Sequence, residues 1–96
     1  MSRRLPPIHP GEILLEEFIV PRELNANKLA LDLHIPSNRI TEIIRGRRAI
    51  SADTALRLAR YFGTSAELWI GLQADYDLRR ARDDFGVTIE REVRIA

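Results

Sequence analysis

Residues Ser37 to Arg48 read SNRITEIIRGRR. Apolar side chains occur there only at Ile40, Ile43 and Ile44, at helical spacing, and Ser37 stands where a capping serine belongs. The stretch predicts a short helix, capped by Ser37, with one buried face. Its other face carries side chains whose hydrogen-bonding groups match base edges. Asparagine pairs bidentately with adenine, arginine with guanine, threonine meets the thymine methyl and glutamate accepts from cytosine. A helix lying in a major groove presents about its first two turns, which makes Ser37, Asn38, Arg39, Thr41 and Glu42 the expected base-contacting set. Lys28, Arg45, Arg47 and Arg48 are assigned to phosphates, which fix position without reading sequence.

The residues just before this stretch fit the same purpose. Asn25 is the expected cap of a helix ending near Leu33, with Leu29, Ala30 and Leu33 facing inward. His34, Ile35 and Pro36 then interrupt the helical pattern. Two short helices so closely joined have the dimensions of a helix-turn-helix. The small Ala30 allows them to cross at close range.

Farther upstream, Pro10 suits a first helical position and Glu12 the first turn. Ile13, Leu14, Phe18 and Ile19 form an apolar stripe that Pro21 ends, while residues 1–9, with two arginines and two prolines, read as a mobile arm. Downstream of Gly46, which supplies a left-handed turn, Ser51 caps a fourth helix carrying Ala55, Leu56, Leu58, Ala59 and Phe62 to Gly63. Arg57 and Arg60 on that helix are expected as surface charges. Thr64 and Glu67 have capping-box spacing and open a fifth helix, whose apolar face of Leu68, Trp69, Leu72 and Tyr76 extends to about residue 78 or 81.

The tail changes period. In VTIEREVRI, residues 87–95, Val87, Ile89, Arg91, Val93 and Ile95 alternate with polar residues, which predicts a strand; a frayed tail or a helical extension is the competing reading. A lone strand in a helical chain needs an external partner. Antiparallel self-pairing about Arg91 would set Arg91 against itself and Glu90 against Glu92, so another register or a different chain is expected. Trp69, Leu72, Tyr76, Val87, Ile89 and Val93 are the residues expected at a dimer surface, although Trp69 and Tyr76 also fit a core.

Bulk properties exclude several classes. Ninety-six residues allow one modest core, and no run approaches the roughly 20 apolar residues that span a bilayer. MSRRLPPIHPGE has no apolar segment behind its arginines, so export is not expected and the cytoplasm is. The absence of cysteine removes disulfides, thiolate metal sites and a cysteine nucleophile. The net charge of +1 divides unevenly: −1 over residues 1–24, +4 over 25–60 and −2 over 61–96. The local excess around SNRITEIIRGRR attracts a polyanion without making the whole chain basic. His9 and His34 lack metal-ligand spacing, and Glu12, Glu16 and Glu17 read as the wet face of a helix. With no glycine-rich phosphate loop or nucleophile elbow, no enzyme, cofactor or metal is expected.

Three further groups of residues point to one family: His9-Pro10-Gly11-Glu12, Gly46-Arg47-Arg48 with Ile50-Ser51, and Trp69 through Leu72-Gln73 to Tyr76-Asp77-Leu78. Over roughly residues 9–82 the chain resembles the HigA-type antitoxins of the Xre helix-turn-helix class. The resemblance implies an all-α, five-helix, lambda-repressor-like domain. It also implies a bacterial antitoxin that binds and blocks a HigB-type mRNA-cleaving toxin and, as a homodimer on a palindromic operator, represses its own operon. Carried over by position, Ser37, Asn38, Arg39 and Thr41 read bases while Lys28, Arg45 and Arg47 hold the backbone. His34 departs from the glycine usual at that turn, which requires local strain or a different turn geometry. The expected organisation is an arm at 1–9, the DNA-binding domain at 10–82 and an extension with a short C-terminal β-strand at 83–96. The alternatives are a stand-alone regulator and an interaction module that has lost DNA binding.

Overall fold

Pro10 begins the first helix because its missing N–H costs nothing there, and His9 completes the cap as its Nδ1 accepts from Gly11 N at 2.9 Å. The computed structural model describes residues 5–96, so Arg3 and Arg4 of the expected arm lie outside the described residues. α1 (Pro10–Ile13) runs directly into a π-helical segment, Leu14–Ile19, and a closing 3-10 turn, Val20–Arg22. Pro21 has no N–H to offer the preceding turn, and Arg22 Nη1 donates to Phe18 O instead, at 3.2 Å. α2 (Ala26–Leu33), α3 (Ser37–Ile44), α4 (Ala52–Phe62) and α5 (Ala66–Glu92) follow. Asn25 and Ser51 cap α2 and α4 through Lys28 N and Thr54 N.

The core gathers Leu14, Ile19, Leu29, Ala30, Leu33, Ile40, Ile43, Ile50, Ala55, Leu58 and Trp69. Phe18 lies 4.9 Å from Trp69 and 5.0 Å from Phe62, centroid to centroid, which closes one end of it. Trp69 is 0% exposed, and its Nε1 donates to Thr64 Oγ1 at 2.8 Å. It therefore offers no surface to a second copy, which removes it from the expected dimer set. Leu56, expected among the apolar residues of α4, is exposed on its outer face.

Several caps and the tail differ from expectation. Ser37 is the first residue of α3 rather than its cap; Pro36 holds the cap position without a side-chain bond. Ser65, one residue after Thr64, caps α5 by accepting from Leu68 N, because the Thr64 hydroxyl is engaged by Trp69. The predicted strand does not form: α5 continues through Glu92, and only Val93 and beyond are extended or irregular. Extending an existing helix adds a hydrogen bond for each residue fixed, with no new nucleus to form. Among the described residues no strand is present for the tail to join. Leu5–His9 is not free either, since Arg79 Nη2 donates to Leu5 O at 3.1 Å and His9 packs on Tyr76. The Cα radius of gyration of 15.9 Å exceeds the ~13 Å of a compact chain this long, because the second half of α5 projects from the bundle. Among the described residues no helix is long and apolar enough to cross a membrane.

Candidate nucleic-acid interface

α3 is fixed from beneath before any ligand arrives. Ile40 and Ile43 are both 0% exposed, so the helix cannot roll without opening the core. Gly11 of α1 abuts its C-terminal end so closely that a Cβ there would fall 1.8 Å from Ile43 O. Only glycine permits that approach. Gly46 then turns the chain at φ 72°, with the His9 ring against it and edge-on to Tyr76 at 4.8 Å. Burial pushes the His9 imidazole below its ordinary value, with Asp77 opposing, which suits an Nδ1 that must stay unprotonated to accept from Gly11.

The turn before α3 uses His34 at φ 60°, a left-handed conformation for a residue with a Cβ. The expected strain is thus present, and Ile35 N closes the turn on Ala30 O at 3.1 Å. Behind the interface, Gln73 of α5 accepts from Ile50 N at 2.9 Å through Oε1 and donates to Asp77 Oδ1 through Nε2. This buried glutamine ties α5 to the loop that follows Arg47 and Arg48.

The outward face has two kinds of residue. Ser37, Asn38, Arg45 and Arg47 are exposed, and among the described residues Arg45 and Arg47 carry no ion pair. The others are already engaged. Thr41 Oγ1 donates to Ser37 O at 3.0 Å, Arg48 Nη2 pairs with Glu42 Oε1 at 2.7 Å, and Lys28 Nζ pairs with Asp32 Oδ1 at 2.9 Å. Asp32 also accepts from Tyr61 OH at 2.7 Å. The Tyr61 bond, then Lys28, holds its carboxyl below the usual range, so it stays ionised beside the basic face at neutral pH.

Arg39 reaches across to α4, where its Nη1 donates to Asp53 Oδ2 at 3.0 Å. The same oxygen accepts from Arg57 Nε at 3.0 Å, and Arg57 Nη1 donates to Leu33 O at 2.8 Å. Arg57 is therefore a strut between α4 and the end of α2, not merely a surface charge. Sequence reasoning missed Asp53 and Arg57 at this site. Their i,i+4 spacing was a signal for the pair, but nothing in the periodicity of α3 announces a bond to Arg39 fourteen residues away. Among the described residues no cluster of potential metal ligands occurs. The geometry provides a rigid helix, polar groups at its N-terminal half and guanidinium groups at its C-terminal end. That combination is suited to recognition, and among the described residues it contains no catalytic constellation.

Residues 15–69 match the helix-turn-helix family model HTH_3. The chain is 54% identical over 83 residues to virulence-associated protein I of Dichelobacter nodosus, covering 86% of this chain and 77% of that one. It is 51% identical, with a TM-score of 0.90, to an addiction module antidote protein of the HigA family from Coxiella burnetii, covering 96% of this chain and 100% of that one. It is also 44% identical, with a TM-score of 0.90, to Pseudomonas aeruginosa antitoxin HigA in its structure with the higBA promoter, covering 92% and 96%. The all-α fold, the clamped helix-turn-helix and these similarities place the chain in the helix-turn-helix family and, within it, among the HigA-type antitoxins of the Xre class, which are DNA-binding regulators and not enzymes.

Proposed function

We propose that this chain binds a palindromic operator as a homodimer and represses its own operon, and that it neutralises a HigB-type mRNA-cleaving toxin by direct binding. The observation that carries the DNA half is the clamped α3, whose Ser37, Asn38, Arg39, Thr41 and Glu42 line one side while Ile40 and Ile43 anchor the other. Lys28, Arg45, Arg47 and Arg48 flank that face and take phosphates, exchanging two internal ion pairs for contacts to the backbone. Residues 10–82 form the DNA-binding unit. The similarity to an antitoxin studied with its promoter supports the same reading. Both targets, operator and toxin, place its action in the cytoplasm.

A single α3 reads few base pairs, so two copies must present theirs about 34 Å apart in successive grooves. With α5 continuing as a helix, Gly71, Ala74, Leu78, Ala81, Phe85 and Ile89 recur at steps of three and four along one exposed face. This stripe replaces the alternating set as the dimer surface. Val87 points away from it and Val93 lies just past the helix, while Leu72 and Tyr76 are half-buried against the body of the domain. Phe85→Glu is expected to shift the protein to monomer in sedimentation and to weaken operator binding.

Two experiments test the two halves. A gel shift on the DNA upstream of this gene should give a specific complex that survives excess unrelated duplex. Co-expression with the neighbouring reading frame should restore growth that the neighbour alone arrests. Arrest without rescue would contradict neutralisation and leave a stand-alone regulator.

A further inference from the structure

Arg39, the longest side chain assigned to base reading, is bonded to an acidic residue inside the chain. An acid on a DNA-facing edge repels phosphates, so its presence requires a compensating role. Asp53 stands at the start of α4, across a cleft that it shares with Arg39, Arg48 and Thr54, and its side chain is 57% exposed. It also forms the middle of a series linking three elements: Leu33 O at the end of α2, Arg57 and Asp53 on α4, and Arg39 on α3. Hydrogen bonding from Arg57, and then from Arg39, holds the Asp53 carboxyl below the usual range, so it is ionised at neutral pH.

Resting on the base-reading role of Arg39 proposed above, we infer that Asp53, braced by Arg57, is a specificity-determining positioning residue that aims the Arg39 guanidinium at base edges and keeps it off the phosphates. A guanidinium has five donors in a planar fork. Asp53 engages one nitrogen, Nη1, and leaves donors on the rest of the fork free for a pair of acceptors such as guanine O6 and N7. Fixing one edge sets the plane of the other. The support is itself anchored, because Arg57 is tied to a backbone carbonyl beside the strained His34 turn. Released from Asp53, the flexible arginine would swing to a phosphate, where its charge still contributes affinity but carries no sequence information. Asp53 thus trades a little general DNA affinity for selectivity.

The test is selection of binding duplexes from a randomised pool, sequenced for wild type, Arg39→Ala, Asp53→Asn, the double variant, Arg57→Gln and Asp53→Glu. Arg39→Ala should flatten the preference at one base pair of each half-site. Asp53→Asn should flatten that same position by about tenfold, leave the others sharp, and add nothing to Arg39→Ala. Arg57→Gln should flatten it partway, and Asp53→Glu should restore part of it. Uniform weakening at every position, an equal loss in the Arg39→Ala background, or no change at all would overturn the inference. If Arg39→Ala itself flattens no position, it is the base-reading role that fails, a result distinct from the others.

Discussion

α3 and the second half of α5 are both helical, yet they are held in different ways. α3 spans eight residues and is fixed by the buried Ile40 and Ile43, by the backbone of Gly11 pressed against its carbonyl end and by the turn at Gly46. From Leu78 to Glu92, α5 has no buried residue; only Gly86 is half-buried. Its helical state is carried forward from a first half in which Trp69 and Gln73 are buried. Most helical stability in proteins comes from packing one face, so α3 is specified by its surroundings and the tail of α5 mainly by propagation, with only exposed polar contacts such as Arg79 to Leu5 O and Arg80 to Asp84 beside it. The difference suits the roles proposed for them. A helix that reads bases must be fixed to within a fraction of an ångström, whereas a projecting helix with an apolar stripe is completed by a partner.

Substitutions at glycines separate the two regimes, beginning with the largest effect. Gly11→Ala drives a methyl group into the backbone of Ile43, which cannot yield as a flexible side chain would. It is expected to cost about 3 kcal/mol or more, read as a drop in Tm. A shift of only a degree or two would show that α1 is not the clamp described. Gly86→Pro is expected to cost about 2 kcal/mol locally, seen as lost far-UV helicity, while the Tm of the core stays nearly unchanged. A large drop in Tm would mean that the tail is integrated with the core after all. Gly46→Ala meets nothing closer than the His9 ring at 3.7 Å, so its cost is the left-handed backbone alone, about 1 kcal/mol in chemical denaturation.

The clamp also carries a pH signature, the smallest of these effects. The folded state lowers the His9 pKa, so the unfolded chain binds more protons as pH falls through the ordinary imidazole value of 6.5. The stability this site contributes is present above that value and is lost progressively below it. Replacing His9 with Asn, which can still cap α1, should abolish that component of the pH dependence. An identical pH profile in the variant would assign the effect elsewhere.

How much of this was legible in the sequence follows the same division. Asn25, Ser51 and Pro10 marked helix starts correctly because caps and a first-turn proline act through local backbone chemistry. The buried faces of α2 and α3 were legible from spacing. The start of α5 slipped by one residue, since the Thr64 hydroxyl is taken up by a long-range bond to the Trp69 indole. Residues 87–95 alternate and contain β-branched side chains, and a period-two pattern read without tertiary context cannot reveal that a helix arrives from upstream with no strand among the described residues to receive it. The engagement of Arg39 by Asp53 was hidden for a related reason: an ion pair between separate helices leaves no periodic trace.

On the reading proposed above, SNRITEIIRGRR reads sequence through the first half of α3. Measuring the affinity of wild type and Arg39→Ala for operator and for random duplex, at one salt concentration, tests it most directly. Operator affinity should fall about tenfold with random-duplex affinity changed far less, since a good bidentate base contact is worth about 1–3 kcal/mol of discrimination. Equal operator affinity for the two proteins would contradict the account.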